Sequence, residues 1–249
     1  MSFLKLVVPF DRKYYNTLSV PVANRILRNG HFDSNGLSNT KKLSMKSWSI
    51  PPSACITGKI LSLMPDSICA QCYAKRGNYN YREPKDAMAQ RLDAWREQEY
   101  WLEAITFLIR TTEPSKMFRW FDAGDMQEEY MMLQIIKVAN ELSDFKFWLP
   151  THEIEMVENI VKQGYIIPRN LKILLSSSYI NGAPPLEKAK ELSKYPNVHR
   201  KIGTTVVLKT KEFEEYHGFK CPASKQNNKC LDCTVCTTSD LDIIAYKKK

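Results

Sequence analysis

Several features are missing from this 249-residue chain. No apolar run approaches the roughly 20 residues needed to cross a bilayer, so no membrane partner is expected. The apolar stretch Phe3 to Phe10 is too short for that and lacks a small-residue cleavage pattern. It reads as a strand rather than a signal peptide, which makes the cytoplasm the expected location. Neither G-x-G-x-x-G nor a P-loop lysine motif occurs, which leaves the Rossmann and P-loop routes to nucleotide binding without support. There is no internal repeat and no low-complexity tract. Between Cys72 and Cys221 there is no cysteine at all.

The seven cysteines that do occur are grouped. One group is Cys55…Cys69-Ala70-Gln71-Cys72; the other is Cys221-Pro222…Cys230-x-x-Cys233-x-x-Cys236. An odd count in a reducing compartment argues against a disulfide framework. Buried structural cysteines are scattered, whereas C-x-x-C groups point to metal ligation. Cys221, Cys230, Cys233 and Cys236 make a complete set of four ligands, in a run tighter than paired zinc knuckles and similar to a compact ferredoxin run. Cys55, Cys69 and Cys72 are one ligand short. Three thiolates suit a [4Fe–4S] cluster that keeps one iron open, whereas zinc, the alternative, needs a fourth ligand such as His31 or His152.

Hydrophobic residues make up 43% and charged residues 25%, an ordinary soluble composition able to bury one sizeable core. The net charge is +9, and the first fifty residues hold eight Lys or Arg against two Asp. Such a balance draws polyanions, so nucleic acid or a nucleotide is the expected partner.

Along the chain, residues 1–46 read as a basic N-terminal extension with a turn at Asn29-Gly30 and little periodicity. Ser47 to Ile50 reads as a strand ended by Pro51-Pro52, and the first cysteine group follows in a loop. Glu83-Pro84 opens one long helix whose Met88, Leu92, Trp95, Leu102, Ile105 and Ile109 share a face. Four strand–helix repeats come next. The strands are Met117–Phe121, Phe145–Leu149, Leu171–Leu175 and Thr204–Leu208. The helices are Met126–Leu142, Ile154–Gln163 and Leu186–Tyr195. This alternation makes the fold class α/β with parallel strands. Five strands, with room for a sixth at either end, suit a partial (β/α) barrel over residues 47–210; a doubly wound sheet is the alternative. Residues 211–249 read as a C-terminal cysteine-rich metal-binding segment with a solvated basic tail, Lys247-Lys248-Lys249.

The polar clusters follow the strands, where loops of a parallel sheet converge. Asp122, at a strand end, suits a ribose hydroxyl or an amino group. Gly124 allows close backbone approach. Asp125 has Glu128 at capping-box spacing. His152 is a candidate catalytic or binding residue, and Glu153 suits the dipole of its own helix. Ser176 to Ser178 offer hydroxyls to an anion, with Ser176 and Ser178 as candidate cofactor contacts. Tyr73, Tyr79 and Tyr81 are able to stack on a base.

Trp48-Ser49-Ile50-Pro51, the Cys55…Cys69-x-x-Cys72-Tyr73-Ala74-Lys75-x-Gly77 stretch, the Asp122-Ala123-Gly124-Asp125 turn and Cys221-Pro222 with the C-terminal run resemble the phage and plasmid gene product 88 family over residues 39–237. The resemblance implies no particular reaction. The family's turn has His before the Asp and Ser after it, where this chain has Phe121 and Ala123. A looser, architectural likeness is to radical S-adenosylmethionine enzymes. Those place three cysteines after the first barrel strand and a Gly-Gly-Glu-like turn after the second, against the methionine amino group. The order is similar here, although the spacing is C-x13-C-x2-C rather than C-x3-C-x2-C. The likeness implies an open [4Fe–4S] cluster on Cys55, Cys69 and Cys72, S-adenosylmethionine as cofactor, and an auxiliary C-terminal cluster. The alternative expectation is a non-catalytic, zinc- or iron–sulfur-stabilised nucleic-acid-binding protein.

Overall fold

The structure is a computed structural model that describes residues 7–31 and 35–248. Its organising element is a six-stranded, all-parallel sheet in the order β1-β2-β3-β4-β5-β6. The strands are β1 (Ser47–Trp48), β2 (Met117–Trp120), β3 (Lys146–Thr151), β4 (Leu171–Ser176), β5 (Gly203–Leu208) and β6 (Ile243–Lys247). A doubly wound sheet reverses its strand order midway, and this sheet does not. Consecutive order with right-handed crossovers sends the main connecting helices to the same face.

That face is the main core. Phe118, Trp120, Phe147, Leu149, Ile173 and Leu175 alternate onto it. They meet helices α4 (Arg82–Glu97), α5 (Trp101–Thr112), α6 (Glu129–Glu141), α7 (Ile154–Lys162) and α8 (Leu186–Ser193), while α9 (Thr210–Glu215) covers β5 and β6. Trp48 is fully buried and packs edge-on against Trp101, Trp120 and Phe121. Each such aromatic pair adds about 1 kcal/mol beyond its burial.

Several elements differ from the sequence expectation. The N-terminal stretch is not a structureless extension: it holds α1 (Arg12–Thr17) and α2 (Val20–Leu27), and Ala23 and Leu27 of α2 belong to the main core. The single long helix is two, α4 and α5. Tyr100 at the break stacks on Tyr14 of α1 at 3.7 Å, and Gln98 donates to Asn29. Contacts this remote leave no local sequence mark. The helix expected from Met126 starts at Glu129, because Asp125 is held by Thr151 and His152 and Gln127 by Ala54. Of the strand expected over Phe3–Phe10, residues 3–6 lie outside the described residues and 7–10 are irregular.

Strand β3 runs through Pro150, where the sequence suggested a stop. Phe147 bonds toward β4 and Lys146 toward β2, so Pro150 turns its missing N–H toward β2. The β2–β3 pairing ends just before it, at Arg119 and Trp148, so no ladder bond is lost. Lys247, expected in a solvated tail, closes β6, and Lys248 donates its N–H to Leu208; Lys249 lies outside the described residues. No helix among the described residues is long and apolar enough to cross a membrane.

The opposite face of the sheet is covered by the chain's two ends. Trp148, Leu174 and Ile244 pack there against Leu43 and Met45 from one end and Phe219, Val235 and Cys236 from the other. Arg91 on α4 pins the N-terminal part in place. Its buried guanidinium donates to Gly36 O, Ser38 Oγ and Ser49 Oγ at 2.8–3.0 Å. Arg91→Met would leave three buried acceptors without this donor. The expected loss is about 2–4 kcal/mol, read as a lower urea midpoint with an unchanged slope.

Candidate functional site

The carboxyl ends of the strands converge on the first cysteine group, and the joints are carboxylates. Asp125 follows β2. Its Oδ1 accepts from Thr151 Oγ1 at 2.7 Å and from Met126 N, and its Oδ2 accepts from His152 N at 2.7 Å. The capping box with Glu128 does not form; Asp125 ties the end of β2 to the end of β3 instead. Burial pushes its carboxyl up to about 7 against these hydrogen bonds.

Glu153 continues the chain of joints. Its two oxygens accept from Thr57 N at 3.0 Å and Thr57 Oγ1 at 2.7 Å. It therefore caps the start of α3 (Ile56–Leu61), whose N-cap residue is Cys55, and not the start of its own helix. Gln127 adds a bond to Ala54 O, one residue before Cys55. The rest of the cysteine loop is tied to the chain after β4: Ile68 N donates to Ser178 O and Ile180 N to Asp66 O. Ser178 thus contributes a backbone carbonyl, while Ser176 lies in β4 opposite Thr205.

Cys55, Cys69 and Cys72 all lie at this edge, near enough to act on one another's charge without forming a closed group. Burial pushes the Cys55 thiol far up, and Asp125, Cys72, Cys69 and Glu153 add to it. Burial, then Cys72 and Asp125, raise the Cys69 thiol to about 12. A Cβ at Gly58 would lie 3.5 Å from Cys69 Sγ and 3.6 Å from Cys55 Sγ, so glycine leaves the space between the two sulfurs open.

Asp122 meets the same loop through two tyrosines. It is only 2% exposed; its Oδ2 accepts from Tyr79 Oη at 3.0 Å, and its carbonyl accepts from Tyr73 Oη, one residue past Cys72. Its Oδ1 is buried without a partner. Ser177 Oγ, after β4, is likewise buried and unpartnered. Gly124 has φ +82°, and a Cβ there would meet Ile50 Cγ1 at 2.3 Å. The close approach that this glycine permits is made by the end of β1. Phe121, where the family has His, has φ +52°, an uncommon conformation for a non-glycine residue. His152 is held through its backbone, and burial lowers its imidazole to about 4, so it is neutral at physiological pH. His31 is exposed.

The second group forms a separate site on the other face of the sheet. Cys221, Cys230, Cys233 and Cys236 line one cavity with Met45 and Trp148. Cys230 N donates to Lys42 O and Cys221 N to Ala245 O, both at 2.8 Å, so both ends of the chain build it. Cys236 Sγ lies 3.2 Å from Tyr246 Oη, and burial raises its thiol to about 12. All seven cysteines are free thiols. Among the described residues, no three His, Cys, Asp or Glu side chains are drawn together as a metal-holding group.

Sequence reasoning missed three contributors. Arg119 on β2 donates to Tyr73 Oη and to Phe121 O, both at 3.3 Å, and stacks on Trp148 at 4.3 Å. Glu153 was assigned to the wrong helix, and the Tyr73 and Tyr79 hydroxyls turn inward to Asp122. For Arg119 the available signal was a cation within a short apolar strand. The Tyr and Glu contacts left none.

Fold and sites together define a parallel α/β protein with two distinct cysteine centres, one at the carboxyl edge of the sheet and one on its face. The family model for gene product 88 matches residues 26–239, and the chain belongs to that family. Comparison with curated proteins and with solved structures finds no match.

Glu153→Ala would free α3 from its cap. Amide exchange over residues 57–61 and alkylation of Cys55 are each expected to speed up about tenfold, with the C-terminal cysteines unaffected. The His152 ring takes up fewer protons folded than unfolded between its usual 6.5 and about 4. Stability therefore falls as pH drops through that window. His152→Gln should flatten the fall by at most about 3 kcal/mol, read as the difference between the two proteins' urea midpoints at each pH.

Proposed function

We propose that the protein is an iron–sulfur enzyme built on a partial (β/α) barrel, with an architecture like that of radical S-adenosylmethionine enzymes and a nucleotide or nucleic acid as substrate. Cys55, Cys69 and Cys72 would hold an open [4Fe–4S] cluster. Cys221, Cys230, Cys233 and Cys236 would hold a second, closed one, with zinc the competing metal at either group. The observation that carries the reading is the buried, unpartnered Oδ1 of Asp122, whose residue is tied through Tyr73 to the loop that carries the three thiols. A buried acceptor left without a donor is costly, and a ligand amine or hydroxyl would satisfy it. The donor sets fit, since thiolates are the usual ligands of such clusters. The consecutive strand order with β1 and β6 at the two edges supports the opened-barrel reading.

Such a cluster, held by Cys55, Cys69 and Cys72 and reduced from outside, would supply one-electron chemistry and an open coordination position. This chain's residues do the rest. Asp122 accepts from the ligand's amine or ribose hydroxyl. Asp125 and Glu153 hold Cys55 in place, and the neutral His152 is available to exchange a proton. The unpartnered Ser177 hydroxyl at the end of β4 is available to a bound anion. The net charge of +9 draws the phosphates of the substrate. A reducing compartment, the host cytoplasm for a phage-encoded chain, keeps the seven thiols free for metal.

A second reading, a non-catalytic nucleic-acid-binding protein stabilised by zinc or iron–sulfur, is favoured by one observation. Tyr73 and Tyr81 are 52% and 66% exposed, beside Lys75, Arg76 and Arg82, which suits base stacking with phosphate contacts.

Anaerobic purification with assays for iron, sulfide and zinc separates the two. Iron with sulfide and brown visible absorption is expected, and Cys69→Ala should remove about half of the iron. With reductant and S-adenosylmethionine, the wild type should release 5′-deoxyadenosine. Zinc without iron would reverse the choice.

A further inference from the structure

Arg119 lies between the two cysteine centres, on the face of the sheet that carries the C-terminal one. It pairs in register with Ser47 on one side and Trp148 on the other. Its guanidinium lies flat on Trp148, which lines the four-cysteine cavity. From there Nη2 reaches Tyr73 Oη, the residue after Cys72. Its Nε is buried without a partner. The groups it touches are thus a phenol, a carbonyl and an indole, and the nearby Asp122 carboxylate makes no hydrogen bond with it. A guanidinium buried without a hydrogen-bonded anion is stabilised further when negative charge arrives nearby.

The cysteine centres supply that charge. Four thiolates around a dication, whether zinc or an oxidised [4Fe–4S] core, leave about two negative charges. Arg119 reaches that centre through Trp148, which lines the cavity with the four cysteines. Lys42 reaches it through its carbonyl, which accepts from Cys230 N. Arg119 also holds the residue next to Cys72.

We propose that Arg119 is the positioning residue that couples the two centres. Its charge balances the loaded C-terminal centre, and its fork to Tyr73 Oη and Phe121 O fixes the Cys72 end of the three-cysteine loop. The inference rests on the reading that both cysteine groups bind metal. It does not depend on which metal, because the charge sum is the same for both.

The two roles separate by substitution. Lys keeps the charge and loses the planar fork, while Met keeps bulk and loses both. The measurement is metal release to a chelator, from the C-terminal centre alone in a Cys69→Ala background and from the three-cysteine centre alone in a Cys236→Ala background. Arg119→Met is expected to speed release from the C-terminal centre about tenfold, and Arg119→Lys to restore most of it. At the three-cysteine centre both substitutions should speed release, because both lose the fork. In iron-loaded protein, Arg119→Met should also lower the reduction potential of the C-terminal centre, a shift that a merely packing role would not produce.

Unchanged release in both variants would overturn the proposal. So would Lys failing as badly as Met at the C-terminal centre, or rescuing the three-cysteine centre. Wild-type protein that binds zinc but no iron defeats the iron–sulfur reading while leaving this test intact on zinc. Wild-type protein that binds neither metal defeats both.

Discussion

The carboxyl edge of the sheet depends on one buried carboxylate. Asp125 takes hydrogen bonds from the end of its own loop and from Thr151 and His152 at the end of β3. That joint sets the position of Glu153, which caps α3, and α3 begins at Cys55. Three residues distant in sequence thus form one mechanical line from the sheet to the first thiol. Burial works against the charge of Asp125, and three donors work for it. A carboxylate in that balance holds its neighbours only while all its donors are present, which makes the edge cooperative.

The second face of the sheet follows a different constraint. A parallel sheet exposes unsatisfied apolar surface on any face that its crossover helices leave open. Here helices α4 to α9 lie on one face, and the other is closed by residues 38–45 and by the later part of the β5–β6 connection. Closing it with the cysteine-rich segment places four thiols against Trp148 and beside Arg119. The cover of the core and the second centre are therefore the same piece of chain. Loss of that segment would expose Trp148, Leu174 and Ile244 as well as remove the thiols.

Much of this was legible in the residues. Period-two and period-3.6 patterns locate β2 to β5 and the helices α6 to α8, because both periods are local. C-x-x-C spacing groups the cysteines before any fold is known. The N-terminal helices were overlooked although Val20, Ala23 and Leu27 carry a helical spacing, since polar and basic neighbours masked it. Other misses had no local signal. The break between α4 and α5 is held by Tyr14, and the helix start at Glu129 is delayed by bonds to β3 and to Ala54. For Glu153, the dipole of its own helix was the nearer partner in sequence, but Thr57 supplies two donors and the dipole only a partial charge.

By itself the sequence determined the parallel α/β alternation, the grouping of thiols and the family's motifs, because each is written in residue type and short-range spacing. Only the tertiary structure decided that the strands run in unbroken order, that the two ends of the chain meet over one face, and that Arg119 stands between two separate cysteine centres. Those facts arise from pairings between residues tens to hundreds of positions apart, whose partners are chosen by burial and hydrogen bonding once the sheet exists.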